Sequence, residues 1–212
     1  MDEFFTVCEN HEINTDIMNM YKKKSTNLMD IVYCLPYTSP ILDKIQFTAF
    51  NVPETRLGNL TAANNYAKTY AKNPNTKSYN YYAGKDCTNF VSQILKAGGK
   101  KTDSDWKPYN SRWINAHSFV LYWYMKTNAS NDYPSFHSIS GTVRSGDVIG
   151  ADWQGDGRYD HNAYVYASGS KTSKGYYDIT IAQHSSNYCA KVSSSENGWE
   201  SHKTGLYVRL RI

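Results

Sequence analysis

The run Asp86-Cys87-Thr88-Asn89-Phe90-Val91-Ser92-Gln93 sets the reading of the chain, because an acidic residue, a cysteine and an apolar stripe follow one another directly. Phe90, Val91, Ile94 and Leu95 recur at helical spacing and Gly98-Gly99 supplies a stop, which predicts a buried helix. Asp86 has the side chain of an N-cap, and Asn89 stands at N3, whose backbone N–H such a carboxylate accepts. Cys87 then becomes the first helical residue. The unpaired N–H groups of a first turn and the positive end of the helix dipole favour thiolate over thiol, so a cysteine placed there is a candidate nucleophile. Without that placement a buried free cysteine is ordinarily a small core hydrophobe.

Upstream, Ala62, Ala63, Tyr66, Ala67, Tyr70 and Ala71 form a second apolar stripe that begins at Leu60 and ends at Asn73-Pro74. Downstream, Trp113, Ala116, Phe119, Val120 and Trp123 predict a third helix over 113–124. After Ser145-Gly146-Asp147 the period changes to two, and strands are expected over 148–151, 161–167, 177–183 and 206–212. Helices followed by an antiparallel sheet make an α+β domain. Residues 1–58 differ, with β-prone runs over 29–35 and 45–52 interrupted by Pro36, Pro40 and Pro53. They are expected to form an appendage, with the main domain over 59–212.

A thiolate hydrolase needs a base that pairs with sulfur and then protonates the leaving amine. Of the six histidines, His161 opens a strand directly after Gln154-Gly155-Asp156-Gly157. It shares a face with Ala163 and Val165, the face on which a helix is expected to carry Cys87. His184 closes the next expected strand. If the two strands pair as antiparallel neighbours, its ring lies beside that of His161 and can fix the tautomer. Gln183 points to the opposite face and is the alternative for that role. His11, His117, His137 and His202 lie in segments without such a pattern and read as surface or structural.

The chain has 212 residues, enough to bury a proper core, and a formal net charge of +4. That mild basicity comes without an RNP, helix-turn-helix or zinc-finger pattern, so no nucleic-acid partner is expected. No stretch reaches the roughly 18 to 20 apolar residues of a membrane span. Met1-Asp2-Glu3-Phe4-Phe5 is acidic where a signal peptide is basic. The chain is therefore expected to be cytoplasmic, or secreted and wall-associated if a leader was removed. Its 19 tyrosines suit a cleft for polar, sugar- or peptide-like ligands, and equally a tyrosine-rich β-surface.

Cys8, Cys34, Cys87 and Cys189 make no C-x-x-C pair, which argues against a zinc ribbon or a dithiol redox site. A Cys8–Cys34 or a Cys34–Cys189 bridge stays open. Asp147, Asp152, Asp156 and Asp160 crowd one region but lack the alternating oxygens and terminal glutamate of an EF-hand, and read as turn residues, with Asp160 placed to raise the pKa of His161. Zinc held by Cys87, His161 and His184 would be chemically sound, but metal ligation has no need of a helix tip. No metal or cofactor is expected.

The run DCTNFVSQILKAGG, the helix containing Tyr66 to Ala71, the NPNT and YNYY loop, SGDVIGADWQGDGRYDHNAYV and AQHSSNY together resemble the bacterial putative amidase domain family, over residues 60–212. That family is similar to the CHAP and NlpC-type cysteine peptidases, which hydrolyse peptidoglycan peptides. The resemblance implies a papain-like core with Cys87 as nucleophile, His161 as base and the third catalytic position within Gln183-His184. It implies a tyrosine near the oxyanion, matched by Tyr81 or Tyr82, with Asp86 in the same oxyanion and substrate set. The backbone N–H of Cys87 is the other natural oxyanion donor. Thr88-Asn89 after the cysteine departs from better known relatives.

The expected function is hydrolysis of an amide bond in a cell-wall peptide or peptidoglycan by a monomeric cysteine amidase or peptidase. Two alternatives stand beside it: a non-catalytic wall- or peptide-binding module on the same fold, and a cysteine acyltransferase that hands the acyl group to an amine.

Overall fold

In the computed structural model of the chain, the described residues are 57–202 and 205–212, with the side chains of 128–132 outside the description. The expected appendage, including His11, Cys8, Cys34 and both bridges proposed through them, lies outside the described residues. Apart from Asp156–Arg158, the described residues belong to one compact unit.

Helix α1 (Leu60–Tyr70) starts where the Asn59 side chain accepts the Ala62 N–H at 2.9 Å, and it buries Ala63 and Ala67. Helix α2 (Cys87–Ala97) carries Cys87 as its first residue, as its pattern predicts. Phe90, Val91, Ile94 and Leu95 are all fully buried, each contributing about 1.5–3 kcal/mol relative to exposure. The helix stops at Gly98-Gly99, where Gly99 adopts φ +95° and a Cβ on Gly98 would stand 2.8 Å from Leu57. The helix expected over 113–124 is two pieces, α3 (Ser111–Ile114) and α4 (Ala116–Tyr124). Asn115 breaks it by turning extended (φ −101°, ψ 130°) and capping α4 through the Ser118 N–H.

Strands β1 (Asn128–Tyr133), β2 (Val148–Asp152), β3 (His161–Ala167), β4 (Thr180–Gln183), β5 (Tyr188–Lys191) and β6 (Leu206–Arg211) form one antiparallel sheet in the order β1-β6-β2-β3-β4-β5. The short helix α5 (Phe136–Ser140) follows β1. β1 and β5 were not expected. Both lie at sheet edges, where only one neighbour constrains the residues, and neither NASNDY nor YCAK alternates in hydropathy. The strand expected over 177–183 keeps only 180–183, because Tyr177 bridges back to Lys171 instead.

Pairing assigns the faces. Ala151 lies opposite His161 and Tyr207, and Ile149 opposite Ala163. That face, with Val165, Ile181 and Tyr188, packs on Phe136 and Ile139 of α5 and on Trp199. The opposite face carries α1, α2 and α4. There the Tyr164 hydroxyl donates to Asn64 (2.8 Å), and the Asn162 amide donates to Thr88 Oγ1 (3.0 Å) and the Ala116 carbonyl (3.2 Å). Gly150 makes this approach possible, since a Cβ would stand 2.7 Å from Val120 of α4. The cysteine helix thus packs on the face of Asn162 and Tyr164, not on the face of His161 as the sequence led us to expect.

Candidate functional site

Cys87 stands at the tip of α2 against the start of β3, 7% exposed. Although α2 covers the other face of the sheet, its first residue reaches the first residue of β3, and the Cys87 sulfur hydrogen-bonds His161. Burial alone would raise the thiol's pKa. The charge of His161 and its hydrogen bond to the sulfur, with smaller help from the Thr88 hydroxyl and the Asn162 backbone N–H, bring it down to about 7. Thr88 Oγ1 lies 3.6 Å from the sulfur and already accepts from Asn162, so its own proton is free to point at sulfur. His161 shifts oppositely. Burial opposes its charged form, but the Cys87 thiolate, then Gln183 and Asp160, raise its pKa overall. Thiolate and imidazolium thus stabilise each other.

Gln183 sets the tautomer of that imidazole. Its Oε1 accepts from Trp199 Nε1 at 2.7 Å. An indole N–H can only donate, so the atom is the amide oxygen. The same oxygen lies 2.9 Å from His161 Nε2, which must then carry a proton, leaving Nδ1 for the sulfur. This corrects the preferred pairing of rings. Tyr164 pairs with Ala182 and Val165 with Ile181, which puts odd-numbered residues of β3 and β4 on one face. Gln183 therefore shares the side of His161, and His184 goes to the other. The intervening hairpin turn, with Ser185 at φ +82°, sends the chain on to β5.

His184 is instead fully buried, with Nδ1 2.5 Å from Asp86 Oδ2 and Nε2 2.9 Å from the Tyr70 carbonyl. Asp86 makes no side-chain cap to α2. Its other oxygen accepts from the Tyr82 N–H (3.0 Å) and Asn89 Nδ2 (2.8 Å). The N-cap expectation fails because these buried partners outcompete a helix-end N–H for the carboxylate. Nor does the carboxylate join a substrate set, since it is 1% exposed and fully engaged. The Tyr81 hydroxyl pairs with Asn187 (3.2 Å) and its ring stands edge-on to His184. Tyr82 is tied through its backbone to Asp86 and Lys85 and half-exposes its side chain.

A cleft of about 380 Å³ opens beside His161 and Gln183, lined also by Trp153, Trp199, Glu196 and His202. His202 was read as surface or structural, yet it stacks on Trp153 at 3.8 Å within this cleft. Burial, then the charge of His161, lower its pKa. Trp199 opens a 3-10 helix of three residues (Trp199–Ser201) that His202 follows, a segment too short to show periodicity, so no pattern pointed to them. Asn162 was missed because the helix was expected on the face of His161, whereas it covers the face to which Asn162 points. His117 and His137 are structural, as expected: the first accepts the Tyr159 N–H and the second packs near Tyr176. The aspartates form turns, with Asp152 accepting from Gly155 and Asp160 from Trp153.

A helix-tip thiol with a lowered pKa, an imidazole whose pKa that sulfur raises and an amide that orients it can together attack a carbonyl and return a proton. The model of the family described as "Putative amidase domain" matches residues 58–209. The chain belongs to that family. It is 39% identical to the uncharacterized protein YjcM of Bacillus subtilis (strain 168) over 139 residues, 59% of this chain and 30% of the relative. It is 32% identical to the uncharacterized protein YhbB of the same organism over 106 residues, 45% of this chain and 32% of the relative. The chain thus spans about a third of the length of the curated relatives it matches. No solved structure matches. Among the described residues no helix is long and apolar enough to cross a membrane.

Proposed function

We propose that residues 59–212 form a papain-like domain, akin to the CHAP and NlpC-type enzymes, that hydrolyses an amide bond in cell-wall peptides through Cys87 and His161. One observation carries the reading: a buried thiol with its pKa drawn down to about 7 faces an imidazole whose far nitrogen is held by Gln183. The Cys87 thiolate attacks the carbonyl carbon, and His161 Nδ1–H protonates the departing amine. Water deprotonated by His161 then cleaves the thioester, returning the thiolate and a carboxylic acid. The Cys87 N–H, which has no intrahelical acceptor at the first helical position, is the donor for the oxyanion, and Tyr82 is the neighbouring tyrosine left to assist it. Trp153, Trp199 and serines 185, 186 and 195 give the cleft apolar walls and hydroxyls suited to a peptide.

The test is incubation of wild type and Cys87→Ala with purified peptidoglycan from several bacteria, with mass analysis of what is released. Amide-cleaved fragments from wild type alone support the reading. Equal fragments from both proteins overturn the cysteine mechanism, and products that form only with an added amine point to acyl transfer.

A further inference from the structure

We propose that Asp86 and His184 form a positioning pair that sets Cys87 against His161, an inference that rests on the thiolate–imidazolium reading above. Asp86 precedes Cys87, and His184 follows Gln183. Neither residue lines the cleft, and both are essentially inaccessible. The dipeptide at the head of α2 and the one at the end of β4 are thereby joined: one member of each takes part in the site, and the other, just outside the element, closes the bond behind it.

The hydrogen bonds admit one distribution of protons. Trp113 Nε1 donates to Asn89 Oδ1 at 2.8 Å, which turns Asn89 Nδ2 toward Asp86 Oδ1. The Tyr82 N–H reaches the same oxygen, so Oδ1 only accepts. His184 Nε2 must donate to the Tyr70 carbonyl, since a carbonyl cannot donate. A single proton is left between Nδ1 and Oδ2, 2.5 Å apart. The ring is clamped as well, stacked on Phe90 at 3.8 Å with 6° between planes, with Tyr81 against it edge-on.

A buried pair of this kind is a poor source of net stability, because desolvation offsets most of the attraction and apolar residues of similar shape serve as well. What it supplies is direction. Gln183 ends β4 and bonds His161, while His184, the next residue, turns its ring onto Phe90 of α2, so holding that ring fixes the backbone from which Gln183 orients His161. Holding Asp86 fixes the first turn from which Cys87 projects.

The experiment measures the rate of Cys87 alkylation by iodoacetamide against pH, a readout that does not require amide hydrolysis. Asp86→Asn keeps an acceptor for the Tyr82 N–H and a donor for His184 Nδ1, and should stay within about threefold of wild type at pH 6. The double variant Asp86→Asn/His184→Phe removes the bond while keeping the ring on Phe90. Its rate at pH 6 should fall about tenfold as the inflection moves toward the ordinary thiol value near 8.5. Ile149→Ala, a core change on the opposite face, should lower the denaturation midpoint and leave the profile unchanged. A double variant with the wild-type profile overturns the proposal, as does Asp86→Asn failing as badly as the double variant. If the double variant does not fold, imidazole NMR of the wild type decides: the His184 Nδ1 proton should shift when Cys87 is alkylated, and an unresponsive ring overturns the coupling. A wild-type inflection at the ordinary thiol value would instead overturn the underlying thiolate reading.

Discussion

Replacing His161 by alanine should cut the selectivity of Cys87 toward alkylating agents about tenfold, and the size of that selectivity follows from the two described cysteines. Cys87 has its pKa drawn down to about 7, whereas burial pushes Cys189 up to about 11 despite the nearby charge of Lys68. At pH 7 about half of Cys87 is thiolate against roughly one part in ten thousand of Cys189. The lower intrinsic nucleophilicity of the more acidic thiol, with a Brønsted slope of about 0.4–0.5, returns nearly two powers of ten, leaving about a hundredfold preference. In His161→Ala both the charge and the hydrogen bond are gone, and burial is then opposed only by the Thr88 hydroxyl and the Asn162 backbone N–H, which returns Cys87 toward the ordinary thiol range. The same arithmetic at pH 6 gives about a tenfold fall in the Cys87 rate, smaller than the change in thiolate fraction alone. The assay is timed iodoacetamide labelling followed by peptide mass analysis, with Cys8 and Cys34 read in the same digest. Equal labelling of Cys87 and Cys189 in wild type, or an unchanged Cys87 rate in the variant, would refute the reasoning.

Gln183→Ala removes the acceptor of both His161 Nε2 and Trp199 Nε1; hydrolysis should fall about a hundredfold as the base loses its orientation, measured as kcat/KM on released fragments. Against pH, the rate should rise as Cys87 ionises through about 7. It should fall again at the raised pKa of His161, where the proton for the leaving amine is lost, and a profile still rising where His161 is neutral would contradict that assignment. Gly150→Ala forces a methyl against Val120 and Val208; overpacking there should cost about 1–3 kcal/mol in urea denaturation, with the Cys87 alkylation profile unaltered.

Much of this site is legible in the sequence. A cysteine at the head of a strongly amphipathic helix, closed by Gly98-Gly99, and a histidine opening an alternating strand are local patterns, and both lie where their residues predict. The helix expected over 113–124 breaks at Asn115, whose capping of α4 outweighs the continuing apolar stripe. β1 and β5 carried no alternation to detect, because an edge strand is constrained on one side only.

The residues alone determined the α+β class, the thiol at a helix tip and the family to which the chain belongs, since each depends on short-range spacing or on ordered motifs. Tertiary structure decided which face of the sheet the helix covers, and with it that Gln183 rather than His184 stands beside His161. Strand register is a relation between segments far apart in sequence, and a slip of one residue exchanges the two faces. Only the pairing of Tyr164 with Ala182 distinguishes the two outcomes, and it sends His184 away from the cleft into a buried bond with Asp86.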